Sequence, residues 1–291
     1  MALISRILVP VVFSERCQDA TRYAAALACR FHCELTLLNV FIQPWAAYSS
    51  PEGYATPPPY DLESTLAQVK EQFDGFLADE LRTLSVRRVL SEGDPASVIA
   101  RYACSESCDL IVMPTHGYGP FRRFLLGSVT AKVLHDVSCP VFTGPHLEHP
   151  PALESPRFQK ILCALDLCPE SRAVVEWASR FAGEFGSEIA MVYAIPASTD
   201  RLAGMYFDPQ WRIDLAARAR QEMSFLQAEV KVKGEILIEI GDVPGAVRAA
   251  AEATRADLVV VGRGRAHGMI GRLRANTYGI VRESCCPVVA V

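Results

Sequence analysis

Arg6-Ile7-Leu8-Val9-Pro10 returns 154 positions later as Lys160-Ile161-Leu162-Cys163-Ala164. Glu92-Gly93-Asp94-Pro95-Ala96 returns as Ile240-Gly241-Asp242-Val243-Pro244, and Cys108-Asp109-Leu110-Ile111-Val112-Met113 as Ala256-Asp257-Leu258-Val259-Val260-Val261. Cys139-Pro140-Val141 returns as Cys286-Pro287-Val288, by which point the offset has drifted to 147. A fixed order of elements with small loop deletions is the mark of one domain written twice. The length of 291 residues is enough for two such domains. The expected boundaries are 1–146 and 158–291, joined by the proline-rich segment 147–157, an extended linker by composition.

Within each repeat, short β-branched runs alternate with stretches of helical periodicity. In the first, the expected elements are strands at 4–11, 35–41, 86–90, 110–113 and 141–143. Between them fall helices after residue 14 (Ala20, Tyr23, Ala24, Leu27, Phe31) and at 62–84, 95–105 and 128–136. Strands almost continuous in Val, Ile and Leu are those covered on both faces. The pattern predicts an α/β fold: two doubly wound, parallel, five-stranded Rossmann-like domains in tandem. The stretch Pro44 to Tyr60 fits neither period and reads as a loop.

Composition narrows the function. A formal net charge of −4 leaves no electrostatic footprint for long nucleic acid. No apolar run approaches the roughly 18 residues of a membrane span, and the first residues do not follow the pattern of a secretory leader. A cytoplasmic location is therefore expected, with the 10 cysteines as reduced, mainly core thiols. Their spacings lack the Cys-x-x-Cys form of a structural metal site, and none is expected.

Sheets of this kind bind ligands beyond the C-terminal strand ends, where strand order reverses. The loops after the first and fourth strands are the candidates. After the fourth strand of the first repeat, Gly127-Ser128 stands directly before a helix, where backbone N–H groups can meet an anion. A glycine turn with Ser128 capping the helix explains the same residues. In the second repeat Arg263, Arg265, Arg272 and Arg274 crowd one loop beside His267, either a solvated basic loop or a side-chain grip on an anion. His116 has no nucleophile or paired carboxylate in its local motif and reads as a loop histidine rather than a general base.

Ile7-Leu8-Val9-Pro10, Gly93-Asp94-Pro95, Met113 through Gly117, Gly127-Ser128-Val129 and Cys139-Pro140-Val141 resemble the universal stress protein family, through nearly all of both repeats. The resemblance implies a stress-response role. Some members bind ATP through Gly, two residues, Gly, nine residues, then Gly-Ser or Gly-Thr, with an aspartate after the first strand. It implies that Pro10, Val11 and Val40 border an adenosine, with Met113, Gly117, Gly127, Ser128 and Val129 toward the phosphates and His116 bordering the ligand. In the second repeat the corresponding residues are Ala164, Asp166, Gly262 and Gly264.

Neither repeat keeps the whole pattern. Pro114 replaces the leading glycine of the first and Val12 its aspartate; the second keeps Asp166 but has Arg274-Ala275 where the first has Gly127-Ser128. The expectation is ATP or ADP bound in the first repeat, with magnesium accompanying the nucleotide. The family's last strands imply a pseudo-twofold pairing of the two repeats, and a homodimer beyond it. Three functions stay open: a nucleotide-binding sensor read by a protein partner, a nucleotide-independent scaffold, and a slow ATP hydrolase.

Overall fold

The computed structural model describes residues 2–42, 61–116, 126–148, 150–151, 153, 156–196, 209–263 and 272–291. The first repeat runs β1 (Arg6–Pro10), α1 (Glu15–Phe31), β2 (Glu34–Phe41), α2 (Leu62–Gly75), β3 (Val86–Glu92), α3 (Pro95–Ser105), β4 (Leu110–Val112), α4 (Ser128–Asp136) and β5 (Val141–Thr143). The second runs β6 (Lys160–Leu165), α5 (Ser171–Phe185), β7 (Glu188–Pro196), α6 (Pro209–Val230), β8 (Gly234–Gly241), α7 (Val243–Thr254), β9 (Leu258–Val261), α8 (Arg272–Glu283) and β10 (Val288–Ala290). A 3-10 turn, Pro145–Glu148, follows β5. The loop Pro44 to Tyr60 lies outside the described residues.

The chain divides into two compact units. The first holds β1 to β4 in the order β3-β2-β1-β4, all parallel, so strand order reverses between β1 and β4. The second holds β6 to β10 in the order β8-β7-β6-β9-β10, also parallel, and the matching reversal lies between β6 and β9. It also takes in β5 of the first repeat, which pairs antiparallel with β10 through Phe142 opposite Val289. The final strands of the two repeats thus pair with each other. Phe142 enters an aromatic cluster with Phe158, which meets Phe181 and Phe185 edge-on at 5.1 and 5.0 Å.

The repeated Asp of the fourth strand has a structural task in both units. Asp109 Oδ2 accepts from the backbone N–H groups of Ser5 and Arg6, and Asp257 Oδ2 from those of Gln159 and Lys160. Each carboxylate ties the start of the unit's central strand to its neighbour, satisfying donors that lie outside the ladder. The repeated Gly-Asp is a helix start. Asp94 caps α3 by accepting from the Ser97 N–H, and Asp242 caps α7 by accepting from the Gly245 N–H. Gly93 holds φ +133°, backbone that a side chain resists.

Two local expectations change. The helix expected over 62–84 ends at Gly75. Leu77 sits at φ +51°, and the Arg88 guanidinium, reaching across from β3, donates to the carbonyls of Phe73 and Phe76. Those bonds satisfy carbonyls that a longer helix would have used internally. Among the ten cysteines, all thiols, Cys17, Cys108, Cys163 and Cys286 are buried and five are half-buried, but Cys104 on α3 is exposed and is not a core thiol.

Candidate functional site

Each point of strand reversal opens into a cleft. In the first unit a cavity of about 320 Å³ is walled by Pro10, Val11 and Val12 at the end of β1, by Leu38 and Val40 of β2 and by Ile42 just after it. Cys17 of α1, Pro95 and Ile99 of α3, Met113 and Pro114 after β4, and Val129 and Thr130 of α4 complete it. The volume is near the lower end of small-ligand sites. The wall is almost wholly apolar, and Ile42 is 56% exposed at its edge. Burial holds the Cys17 thiol above its ordinary pKa, so it stays protonated at neutral pH.

The start of α4 flanks this cleft. Its N-cap is Gly127, and no side chain among the described residues caps it. The expected Ser128 cap is therefore not formed: Ser128 is the first helical residue, and its side chain is exposed. Gly127 fits closely where it stands. Its N–H donates to the Thr115 carbonyl at 2.8 Å, and a Cβ would come within 3.2 Å of that same oxygen. The backbone thus crosses Thr115–His116 at a distance that only glycine allows without a shift. Thr130 Oγ1 donates to the Pro114 carbonyl at 3.1 Å and pins α4 to the end of β4.

The structure brings Pro10, Val11, Val40, Met113 and Val129 together around the cleft, with Gly127 and Ser128 forming the adjoining turn. His116 is not among the wall residues. It is buried, with Nδ1 2.9 Å from Thr115 Oγ1. Gly117 lies outside the described residues.

The second unit's cleft is smaller, about 150 Å³, and more polar. Ala164, Asp166 and Gly262 wall it, together with Cys168, Ser171, Tyr193, Asn276 and Thr277. Gly264, Arg265 and His267 lie outside the described residues. Asp166 Oδ1 accepts from the Cys168 N–H at 3.2 Å and from Ser171 Oγ at 3.0 Å. Thr277 Oγ1 donates to the Gly262 carbonyl at 3.0 Å, the same tie that Thr130 makes in the first repeat. Burial, then the Asp166 and Glu170 carboxylates, push the Cys168 thiol up to about 12. Burial first, then Glu222 and Asp166, raise the Tyr193 phenol. The described wall of this cleft carries two carboxylates, Asp166 and Glu170, where that of the first carries none.

Cys17, Pro95 and Ile99 enter the first cleft from helices; the repeated Gly-Asp motif marks Pro95, and nothing in the local sequence marks Cys17 or Ile99. Thr130 and Thr277 could have been found by overlaying the repeats, since they fall at matching positions. Among the described residues no group of three or more His, Cys, Asp or Glu side chains could hold a metal ion. No helix among them is long and apolar enough to cross a membrane.

The universal stress protein family model matches residues 4–143 and again 157–291. The chain belongs to the universal stress protein family. A universal stress protein of Methanocaldococcus jannaschii is 29% identical over 143 residues, covering 48% of this chain and 81% of its own length. A crystal structure of a universal stress protein from Archaeoglobus fulgidus covers 98% of this chain and 95% of its own, at 20% identity and a TM-score of 0.67. A putative universal stress protein from Pseudomonas aeruginosa covers 99% and 93%, at 20% identity and a TM-score of 0.62. These full-length likenesses show that the tandem arrangement of two universal stress protein repeats is a fold shared with other chains.

Proposed function

We propose that this universal stress protein binds an adenine nucleotide, ATP or ADP, in the cleft of the first repeat, and serves the stress response as a sensing module. The observation that carries the reading is the cleft of about 320 Å³ that joins an apolar slot to the start of α4, a helix without a side-chain cap among the described residues. The flat base takes the slot walled by Val11, Leu38, Val40 and Ile99, where it gains apolar contact. The phosphates take the backbone N–H groups that open α4, helped by the positive end of its dipole. Gly127 keeps that approach clear, because a side chain there would already press on Thr115.

The described wall of this cleft includes no carboxylate. Magnesium would therefore arrive on the phosphates rather than on the protein. The same wall favours binding over hydrolysis, since phosphoryl transfer draws on positioned carboxylates and a held nucleophile. A partner protein reads occupancy, which requires the nucleotide to bind two conformational states unequally. The second cleft is the weaker nucleotide site: its volume is below the usual range for ligand sites, and Arg274-Ala275 stands where the first repeat has Gly127-Ser128. The reading places the protein in a reducing cytoplasm, where ten thiols persist, and as a homodimer, for which light scattering is the check.

The experiment is to denature the purified protein without added nucleotide and quantify the adenine nucleotides released, alongside calorimetric titration with ATP. About one nucleotide per chain, or saturable ATP binding, supports the reading. Neither release nor binding leaves the scaffold reading in its place.

A further inference from the structure

This inference rests on the nucleotide reading and concerns what the first cleft recognises in its ligand. The two repeats differ at one matched pair of positions. At the end of β6, the Asp166 carboxylate is oriented by the Cys168 N–H and the Ser171 hydroxyl, and both Asp166 and Ser171 wall the second cleft. At the end of β1 the matching residues are Val12 and Cys17, and both wall the first. The two replacements belong together. An aspartate beside Cys17 would lack its hydroxyl donor, and a serine beside Val12 would lack its acceptor. As a pair they exchange a hydrogen-bonded polar contact for an apolar one.

The rest of the described wall does not restore what is lost. Its one hydroxyl, Thr130 Oγ1 on α4, donates to the Pro114 carbonyl and is a neutral acceptor where Asp166 is a charged one. The Val11 carbonyl accepts from Asn39 Nδ2 at 2.9 Å, and the Val11 N–H donates to Leu38. With the base in the slot and the phosphates at α4, the sugar between them passes the end of β1, where it meets the side chains of Val12 and Cys17. A sugar hydroxyl facing those two side chains finds no carboxylate or hydroxyl on them to accept its proton.

We infer that Val12 and Cys17 make the first cleft indifferent to the sugar 2′-hydroxyl, so that its ligand class is adenine nucleotides of either sugar, ribose or deoxyribose. Base and phosphate supply the affinity. The matching pair Asp166 and Ser171 sets an oriented carboxylate in the wall of the second cleft.

The test is calorimetric titration of the full chain with ATP and with dATP under one buffer, salt and magnesium concentration. The wild-type chain should bind both with dissociation constants within about threefold of each other. The double variant Val12→Asp with Cys17→Ser should favour ATP over dATP by roughly tenfold or more, the worth of a hydrogen bond to a charged group. A wild-type preference for ATP of tenfold overturns the inference. So does a folded double variant that binds both nucleotides without preference. If the double variant does not fold by circular dichroism, Val12→Asn alone carries the test, with a several-fold preference for ATP expected and none overturning it. Failure of the wild-type chain to bind either nucleotide overturns the nucleotide reading itself, and is distinct from a measured preference.

Discussion

The two clefts are flanked by equivalent helix pairs held together in different ways. In the first repeat α3 and α4 meet through charge. Lys132 Nζ donates to Asp94 Oδ2 at 2.9 Å and to Ser97 Oγ at 3.1 Å, in an exposed cluster at the helix start. In the second, the residue at the place of Lys132 is Gly279, buried on α8 against Pro244 of α7. A Cβ on Gly279 would lie 2.5 Å from Pro244 Cγ, closer than atoms can approach. One pair is adjustable and sensitive to solvent; the other is set by close packing. The open helix start belongs to the adjustable pair. A cleft that changes state on loading is better served by a contact that can re-form than by one that must break apart.

Substitutions in both repeats test this difference. The largest effect is expected at the helix start. Gly127→Asp should reduce ATP affinity of the first cleft by roughly a hundredfold or more, because its carboxylate occupies the N–H groups offered to phosphate. Its Cβ asks the Thr115 carbonyl to give by a few tenths of an ångström, but aspartate is a good helix cap, so the fold should survive, as circular dichroism would check. Ala275→Asp in the second repeat should leave ATP affinity unchanged, and equal losses would show that the two clefts had been ranked wrongly.

Next comes the packed helix pair. Gly279→Ala would ordinarily favour a helix, yet here it should destabilise the protein by about 1–3 kcal/mol in urea unfolding through overpacking against Pro244. A neutral or stabilising result would mean that α7 and α8 yield as readily as α3 and α4. Smaller, and equal in the two repeats, should be the loss of the threonine ties. Thr130→Val and Thr277→Val each remove a buried donor to a backbone carbonyl, at about 1 kcal/mol apiece. A marked inequality would show that one strand end is the looser.

The smallest effect concerns Asp94. Hydrogen bonds from Ser97, then the Lys132 ammonium, hold its carboxyl at about 2, below its ordinary value. A group depressed in the folded state contributes stability above its unfolded pKa and loses it as pH falls. The contribution should therefore fade between about pH 4 and pH 2. Asp94→Asn should flatten stability in that window, and about 1 M salt should weaken the Lys132 pairing at neutral pH. Because the cluster is exposed, the change is a small one.

Most of the architecture could be read in the residues because it depends on local pattern. Pro95–Ser105 is a helix from its proline start and Asp94 cap to its last residue, as periodicity and capping require. The end of α2 was not legible, since it is decided by Arg88, which arrives from another strand. The same division runs through the cleft. Residues at the ends of β1 and β4 follow from topology, whereas Cys17 and Ile99 reach it only because helices cross over the sheet. At Gly127 the sequence allowed either an open helix start or a serine cap; Ser128 falls inside the helix and makes no cap bond, so the start is open.

The pairing of β5 with β10 also has a consequence in time. Phe142 is synthesised with the first repeat, but its partner Val289 is made only after nearly the whole second repeat has been translated. At about 5–20 residues per second the first strand waits on the order of ten seconds for the second. This contact has among the longest chain separations in the sheet, and such contacts form late and slowly. Until then the apolar triplet Val141–Thr143 offers an edge on which a nascent neighbour could pair.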